Sequence, residues 1–133
     1  MITRRRALLA ALALASGLLA VASGLSPLAA HAHSQLVRSQ PGRGAAVARA
    51  PERVRLWFSE RLEPAYATLS VWSEAGAQVD AGDAAVDTDD PRVLSTNAPN
   101  LAPGRYTVRY RVLSVDGHVV ESSFTFTVKA APR

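Results

Sequence analysis

The chain contains 133 residues, carries a formal net charge of +4 and has no cysteine. The lack of cysteine excludes disulfide bonds, thiolate zinc sites and blue-copper sites. Three basic residues, Arg4, Arg5 and Arg6, lie near the N-terminus, so the rest of the chain is nearly neutral and lacks the composition of a nucleic-acid-binding domain. Met1 is the only methionine, so any metal bound elsewhere must be held by nitrogen and oxygen ligands.

The N-terminal segment has the organisation of an export signal. The arginines precede an apolar run at residues 7–21, and Ala-His-Ala at residues 30–32 fits the small-x-small pattern of a cleavage site. We therefore predict a signal peptide at residues 1–32 that is removed, and one domain at residues 33–133 in the periplasm or another extracytoplasmic space. Residues 3–8 resemble a twin-arginine signal without its usual aromatic residue.

Two other outcomes for this segment stay open. A retained membrane anchor is the first, because the apolar run is nearly long enough to span a bilayer, although Pro27 and the cleavage motif favour removal. The second is cleavage after Ala30, which would make His31 the first residue instead of His33.

Four stretches of the remaining chain alternate apolar and polar residues with the period of two that is typical of β-strands. None of them shows the apolar stripe of an amphipathic helix. The apolar positions are Val54, Leu56 and Phe58 in the first stretch, Leu69 and Val71 in the second, Tyr106, Val108, Tyr110 and Val112 in the third, and Phe124, Phe126 and Val128 in the fourth.

Turn-forming residues separate these stretches, including Pro41-Gly42, Glu63-Pro64, Ala75-Gly76 and Pro103-Gly104. Short strands with regularly spaced turns predict an all-β sandwich or Greek-key barrel of about seven strands. Residues 80–91 (DAGDAAVDTDDP) hold five aspartates, but they do not match a calcium-binding EF-hand loop and are interpreted as a polar connection. The arginines on strand faces indicate a solvated sheet face more than an anionic partner.

The segment SVDGHVV, residues 114–120, places Asp116 and His118 two positions apart. On an extended backbone such residues project to the same face, and Gly117 allows a positive φ without steric cost. An acid and an imidazole at this spacing can share one metal ion. They can equally form a hydrogen-bonded pair in a simple Asp-Gly turn.

His33 is the second candidate ligand residue, because cleavage after Ala32 would make it the first residue. Its free amine and its ring Nδ1 could then chelate one metal ion together, which an internal histidine cannot do. With a nitrogen from His118 and an oxygen from Asp116, the donors form the nitrogen-rich plane that Cu(II) prefers. The alternative is that His33 lies beside the cleavage site by chance.

These residues resemble the CopC family of periplasmic copper-binding proteins. The resemblance covers nearly all of the predicted mature region and includes VRSQPGRGA, VRLWFSERLEP, PGRYTVRYRVLSVDGH and the closing SFTFTV. It implies an immunoglobulin-like Greek-key β-fold and a Cu(II) site formed by His33, Asp116 and His118. Val119 and Ser122 replace a proline and a glycine that are usual in the family, and its methionine-rich Cu(I) segment has no counterpart here.

The resemblance implies a Cu(II)-binding protein that acts in copper homeostasis or resistance, as a monomer, without catalysis or nucleic-acid binding. It would buffer copper or deliver it to a membrane transporter, such as an inner-membrane copper permease. Two alternatives stay open. One is a copper monooxygenase with a histidine brace, although Asp116 would fill a position that oxygen needs. The other is a metal-free immunoglobulin-like interaction domain.

Overall fold

A computed structural model of the chain describes residues 35–132. Its strands are β1 (Leu36–Gln40), β2 (Ala46–Val47), β3 (Arg53–Phe58), β4 (Thr68–Ser73), β5 (Ala85–Val86), β6 (Val93–Asn97), β7 (Gly104–Leu113) and β8 (Val119–Val128), with a 3-10 turn at Pro64–Tyr66 before β4. No helix within residues 35–132 is long and apolar enough to cross a membrane.

The strands form two four-stranded sheets. The first sheet has the order β1-β3-β6-β5 and the second has the order β2-β8-β7-β4. The pairings are antiparallel, apart from the parallel contact of β2 with β8. This architecture confirms the predicted all-β Greek-key sandwich, and two of its eight strands, β2 and β5, contain only two residues each.

The core lies between the sheets and contains the apolar positions that the period of two identifies. Aromatic rings make contacts within and between the sheets: Tyr106 of β7 stacks on Phe126 of β8 with centroids 5.4 Å apart, and Phe58 of β3 meets Tyr110 of β7 edge-on at 5.5 Å across the core. Complete burial of one Val, Leu or Phe side chain contributes about 1.5–3 kcal/mol to stability. The buried set includes Val54, Leu56, Phe58, Leu69, Val71, Tyr106, Val108, Tyr110, Val112, Phe124, Phe126 and Val128.

The arginines of the strand faces pack against aromatic rings. The guanidinium carbons of Arg38 and Arg55 lie 4.5 and 4.9 Å from the ring centroid of Trp57. Arg109 lies over Trp72 in the same way, at 5.2 Å. These cation–π contacts give Arg38, Arg55 and Arg109 partners within the protein itself.

The aspartate-rich segment at residues 80–91 ties strands together. The carboxylate of Asp80 accepts a hydrogen bond from the Val71 backbone N–H at 2.8 Å. Asp83 accepts one from the Asn97 backbone N–H at 2.9 Å, and Asp87 accepts one from the backbone N–H of residue 89 at 2.8 Å. The segment is thus the polar connection that the sequence predicts, with β5 inside it.

Candidate metal centre

The hairpin between β7 and β8 forms the centre of the candidate site. Five residues connect the strands, and the backbone N–H of Ser114 donates to the carbonyl of His118 at 2.9 Å. The N–H of Gly117 donates back to the carbonyl of Ser114, also at 2.9 Å. Gly117 has a φ of +91°, a conformation that side-chain-bearing residues rarely adopt. The sequence Asp-Gly-His therefore closes a tight turn at this point.

The turn brings the side chains of Asp116 and His118 together. His118 Nδ1 lies 3.2 Å from Asp116 Oδ1, and the two side chains are 41 % and 33 % exposed. The structure confirms that the two side chains meet, although they lie in a turn and not on the extended backbone that the spacing argument assumes. Both side chains are partly exposed, but the His118 Nδ1 atom itself is buried.

Ser114 lies beside this pair, although the sequence does not place it among the ligands. It is 1 % exposed, and its hydroxyl donates a short hydrogen bond to Asp116 Oδ1. The same hydroxyl oxygen accepts from the backbone N–H of His118 at 3.3 Å. The available signal was its position two residues before an aspartate at the end of a strand, where serine side chains often bond to nearby groups of the turn.

The surroundings of Asp116 keep its carboxylate ionised. The Ser114 hydroxyl lowers the pKa of Asp116 most, partial desolvation opposes this effect, and the hydrogen bond and charge of His118 lower the pKa further. The net direction is below the ordinary value of 3.8. Asp116 is thus a negatively charged oxygen donor throughout the neutral range.

Two further segments meet at this end of the sandwich. The backbone N–H of Val115 donates to the carbonyl of Arg61 at 3.0 Å, which ties the hairpin to the chain that follows β3. Two residues before Arg61, the N–H of Ser59 donates to the carbonyl of Gln35 at 2.8 Å. The Gln35 N–H in turn donates to the Ser59 hydroxyl at 2.9 Å. The described chain therefore begins at the same end of the fold as the Asp116–His118 pair.

The predicted ligand His33 lies outside the described residues, as does the alternative first residue His31. Among residues 35–132, no group of three or more His, Cys, Asp or Glu side chains is arranged to hold a metal ion. That part of the chain contributes one oxygen donor and one nitrogen donor. Their 3.2 Å separation is close to the spacing of about 3 Å between adjacent ligands at bond lengths of about 2 Å. The same separation is that of a hydrogen bond, so the structure shows the hydrogen-bonded pair that the sequence also allows, and metal binding by it stays a prediction.

The chain matches a family model and is similar to known copper-related proteins. The family model described as "CopC domain" matches residues 36–129. Copper resistance protein C of Xanthomonas campestris pv. juglandis is 34 % identical over 122 residues, which cover 87 % of this chain and 95 % of that protein. Copper transport protein CutJ of Bacillus subtilis is 26 % identical over 106 residues, which cover 79 % of this chain but only 20 % of CutJ.

The fold also matches a solved structure. The crystal structure of CopC from Methylosinus trichosporium OB3b aligns with a TM-score of 0.70 and 42 % identity, over 76 % of this chain and 98 % of that one. The family match spans all eight strands and the Asp116–His118 turn. The sequence, the two-sheet architecture and the solved structure agree, and the chain belongs to the CopC family.

Proposed function

We propose that this chain is an exported Cu(II)-binding protein that buffers copper or delivers it to a membrane transporter, with His33, Asp116 and His118 as its ligands. Membership of the CopC family gives the chain a copper-related function. The copper ion is the cargo of the protein and not a catalytic cofactor. Residues 1–32 act as the removed signal peptide, and the domain works in the periplasm or its equivalent.

The observation that carries this proposal is the Asp116–His118 pair, at the end of the fold where the described chain begins. Gln35 is bonded to Ser59 at that end, and His33 is only two residues upstream of Gln35. Two residues span at most about 7 Å. In our proposal, His33 completes the ligand set from this end of the sandwich.

The donor set favours Cu(II) over other ions. An N-terminal amine and two imidazoles supply nitrogen, and Cu(II) has the highest affinity for such ligands among the divalent first-row metals. Cysteine is absent and Met1 is the only methionine, so the proposed mature domain has no sulfur ligand for Cu(I). We infer a binding role and not an oxidase role, because the Asp116 carboxylate would occupy a position that oxygen activation requires.

Titration of the protein that begins at His33 with Cu(II), followed by EPR, tests the ligand set. We expect one equivalent of bound Cu(II) with nitrogen hyperfine structure, and an affinity that falls as the pH is lowered below neutral, because protons compete for the amine and imidazole nitrogens. His118→Ala should change the spectrum and weaken binding. An unchanged spectrum in His118→Ala would exclude that residue as a ligand.

A matched variant with one additional glycine before His33 isolates the contribution of the terminal amine. The imidazole ring remains in this variant, but the amine moves to the added residue and can no longer close the same chelate. We expect weaker binding and an altered EPR spectrum. Identical affinities for the two forms would contradict a role for the His33 amine and would favour a site without a terminal chelate.

Delivery to a transporter draws support from CutJ, a copper transport protein in which the matching region makes up 20 % of the length. A domain that is part of a longer transport protein in one organism can act beside a separate transporter in another. Copper uptake by membrane vesicles of the source organism tests this part of the proposal. Copper bound to the protein should enter faster than copper held by a small chelator of equal affinity, and equal rates would indicate buffering alone.

A further inference from the structure

We propose that Ser114 is a positioning residue of this metal centre, whose hydroxyl holds the Asp116 carboxylate beside the His118 imidazole before a metal ion arrives. The inference rests on the proposed function for the identity of the metal. The hydrogen-bonding part of it concerns only residues of the metal-free protein.

The Ser114 hydroxyl is buried, and this favours its hydrogen bond to Asp116 over one to water. Thr96 and Ser114 are the two buried polar side chains among residues 35–132, at 2 % and 1 % exposed. Each donates its hydroxyl proton to an aspartate, Thr96 to Asp83 at 2.9 Å and Ser114 to Asp116. A hydroxyl without access to water strongly favours a protein partner. The carboxylate of Asp116 is therefore held by a group that has little competition from solvent.

One hydroxyl contacts both candidate ligand residues. Its proton goes to Asp116 Oδ1, the atom that lies 3.2 Å from His118 Nδ1. Its oxygen accepts from the backbone N–H of His118 at 3.3 Å. Ser114 thus fixes the side chain of one residue relative to the backbone of the other. A carboxylate oxygen has more than one lone pair, so this bond leaves Asp116 able to bind a metal ion.

The expected consequence is weaker metal binding when the hydroxyl is removed. Loss of a hydrogen-bond partner that orients a metal ligand typically lowers metal affinity by about 10–100-fold. We expect a loss of this size for Cu(II) in Ser114→Ala. Thr96→Val is the matched control, because it removes the other buried hydroxyl–aspartate bond at a place outside the hairpin, and its copper affinity should equal that of the wild type.

A double-mutant cycle separates positioning of Asp116 from a general loosening of the turn. If Ser114 acts through the carboxylate, Ser114→Ala combined with Asp116→Ala should bind Cu(II) no more weakly than Asp116→Ala alone. A further loss in the double variant would overturn the proposal, because it would mean that Ser114 supports the turn independently of Asp116. An affinity for Ser114→Ala equal to that of the wild type would overturn it as well.

A metal-free measurement tests the same bond without copper. Three-bond NMR couplings across χ1 of Asp116 should show one fixed side-chain rotamer in the wild type and in Thr96→Val, and averaging between rotamers in Ser114→Ala. An Asp116 rotamer that stays fixed in Ser114→Ala would overturn the proposal. If the wild type binds no Cu(II), the proposed function fails while the NMR comparison still decides the role of Ser114. Should Ser114→Ala not fold, Ser114→Thr and Ser114→Val form an isosteric pair with and without the hydroxyl for both measurements.

Discussion

Gly117 gives the turn of the candidate site its backbone conformation. It lies between Asp116 and His118 and has a φ of +91°. A Cβ added at this position would meet no heavy atom within 4 Å. The penalty for a side chain is therefore conformational and not steric, since the left-handed region costs an ordinary residue about 1–2 kcal/mol.

Gly117→Ala should lower the free energy of unfolding by about 1–2 kcal/mol and should also weaken Cu(II) binding, because relief of the strain moves Asp116 relative to His118. Gly76→Ala is the matched control. Gly76 has a φ of +84° and equally open surroundings, but it lies in the turn that follows β4. We expect a similar loss in urea unfolding for Gly76→Ala with unchanged copper affinity. Equal copper affinities for the two variants would contradict the role of Gly117.

Asp83 shows how a single carboxylate links stability to pH. The backbone N–H of Asn97 lowers the pKa of Asp83 most, followed by the side chains of Asn97 and Thr96. The pKa in the folded protein thus lies below the ordinary value of 3.8. The ionised group therefore stabilises the fold above that ordinary value, and this contribution is lost as the pH falls through the lower, folded-state pKa.

Asp83→Asn should therefore lower the melting temperature at neutral pH, and the difference from the wild type should shrink as the pH falls below about 3.8. Asp89→Asn is the control, because the side chain of Asp89 makes no hydrogen bond or ion pair within residues 35–132. Thermal unfolding monitored by circular dichroism between pH 2 and pH 7 provides the comparison. A difference that is independent of pH would show that the charge of Asp83 contributes nothing.

Among the strands, those whose buried and exposed residues alternate regularly can be predicted from the sequence. In their core segments, β3, β4, β7 and β8 alternate buried positions with partly or fully exposed ones, and the sequence predicts each of these strands. β6 was not predicted because adjacent residues, Val93 and Leu94, are both buried, so a period of two is lost. β1 was not predicted because it is an edge strand with little buried surface, and its Val37 is exposed.

In the candidate site too, the sequence predicts one contact, while another depends on how the chain folds. The spacing of Asp116 and His118 predicts that they meet, and they do so within a short turn instead of along an extended strand. The role of Ser114 depends on how that turn closes, through its backbone bond to the carbonyl of His118. No side-chain pattern reports this closure. The participation of His33 remains a prediction, since that residue lies outside the described part of the chain.

The edges of the sheets support the expectation of a monomer. Unpaired edge strands favour association between chains. The outer edge of β4 is covered by the segment that follows it, since the Val79 N–H donates to the carbonyl of Val71 at 2.9 Å and Asp80 accepts from the Val71 N–H. β2 and β5, at two other edges, contain two residues each. At the remaining edge, β1 has a register shift next to Arg38, and both irregularity and charge discourage pairing.

We therefore expect sedimentation velocity to give a single species with the mass of one mature chain over the micromolar range. The species should be the same with and without Cu(II), because the Asp116–His118 pair lies at the end of the sandwich and not on a strand edge. A dimer that forms only with copper would indicate that ligands from two chains share an ion, which would contradict the single-chain ligand set.

In the folded molecule, residues that are distant in the sequence lie together at one end of the sandwich. The bond between Gln35 and Ser59 holds the start of β1 there, and the bond between Val115 and Arg61 holds the β7–β8 hairpin there. All of these are backbone bonds, so the arrangement depends on the fold and not on the metal. The two sheets thus build the neighbourhood of the site before any ion binds.

A bound metal ion would also join the two ends of the domain. An ion bound by His33, Asp116 and His118 would cross-link the first residue of the mature chain to the last hairpin, and would close most of the chain into one loop. Unfolding would then release the Asp116 and His118 ligands, so free Cu(II) at 100 times its dissociation constant should stabilise the domain by up to about 2.7 kcal/mol, less the affinity that the unfolded chain keeps through its first residue. Thermal unfolding with and without Cu(II) should show this increase, and a chelator should reverse it. If Cu(II) binds but leaves the melting temperature unchanged, the ion does not fasten the two ends together.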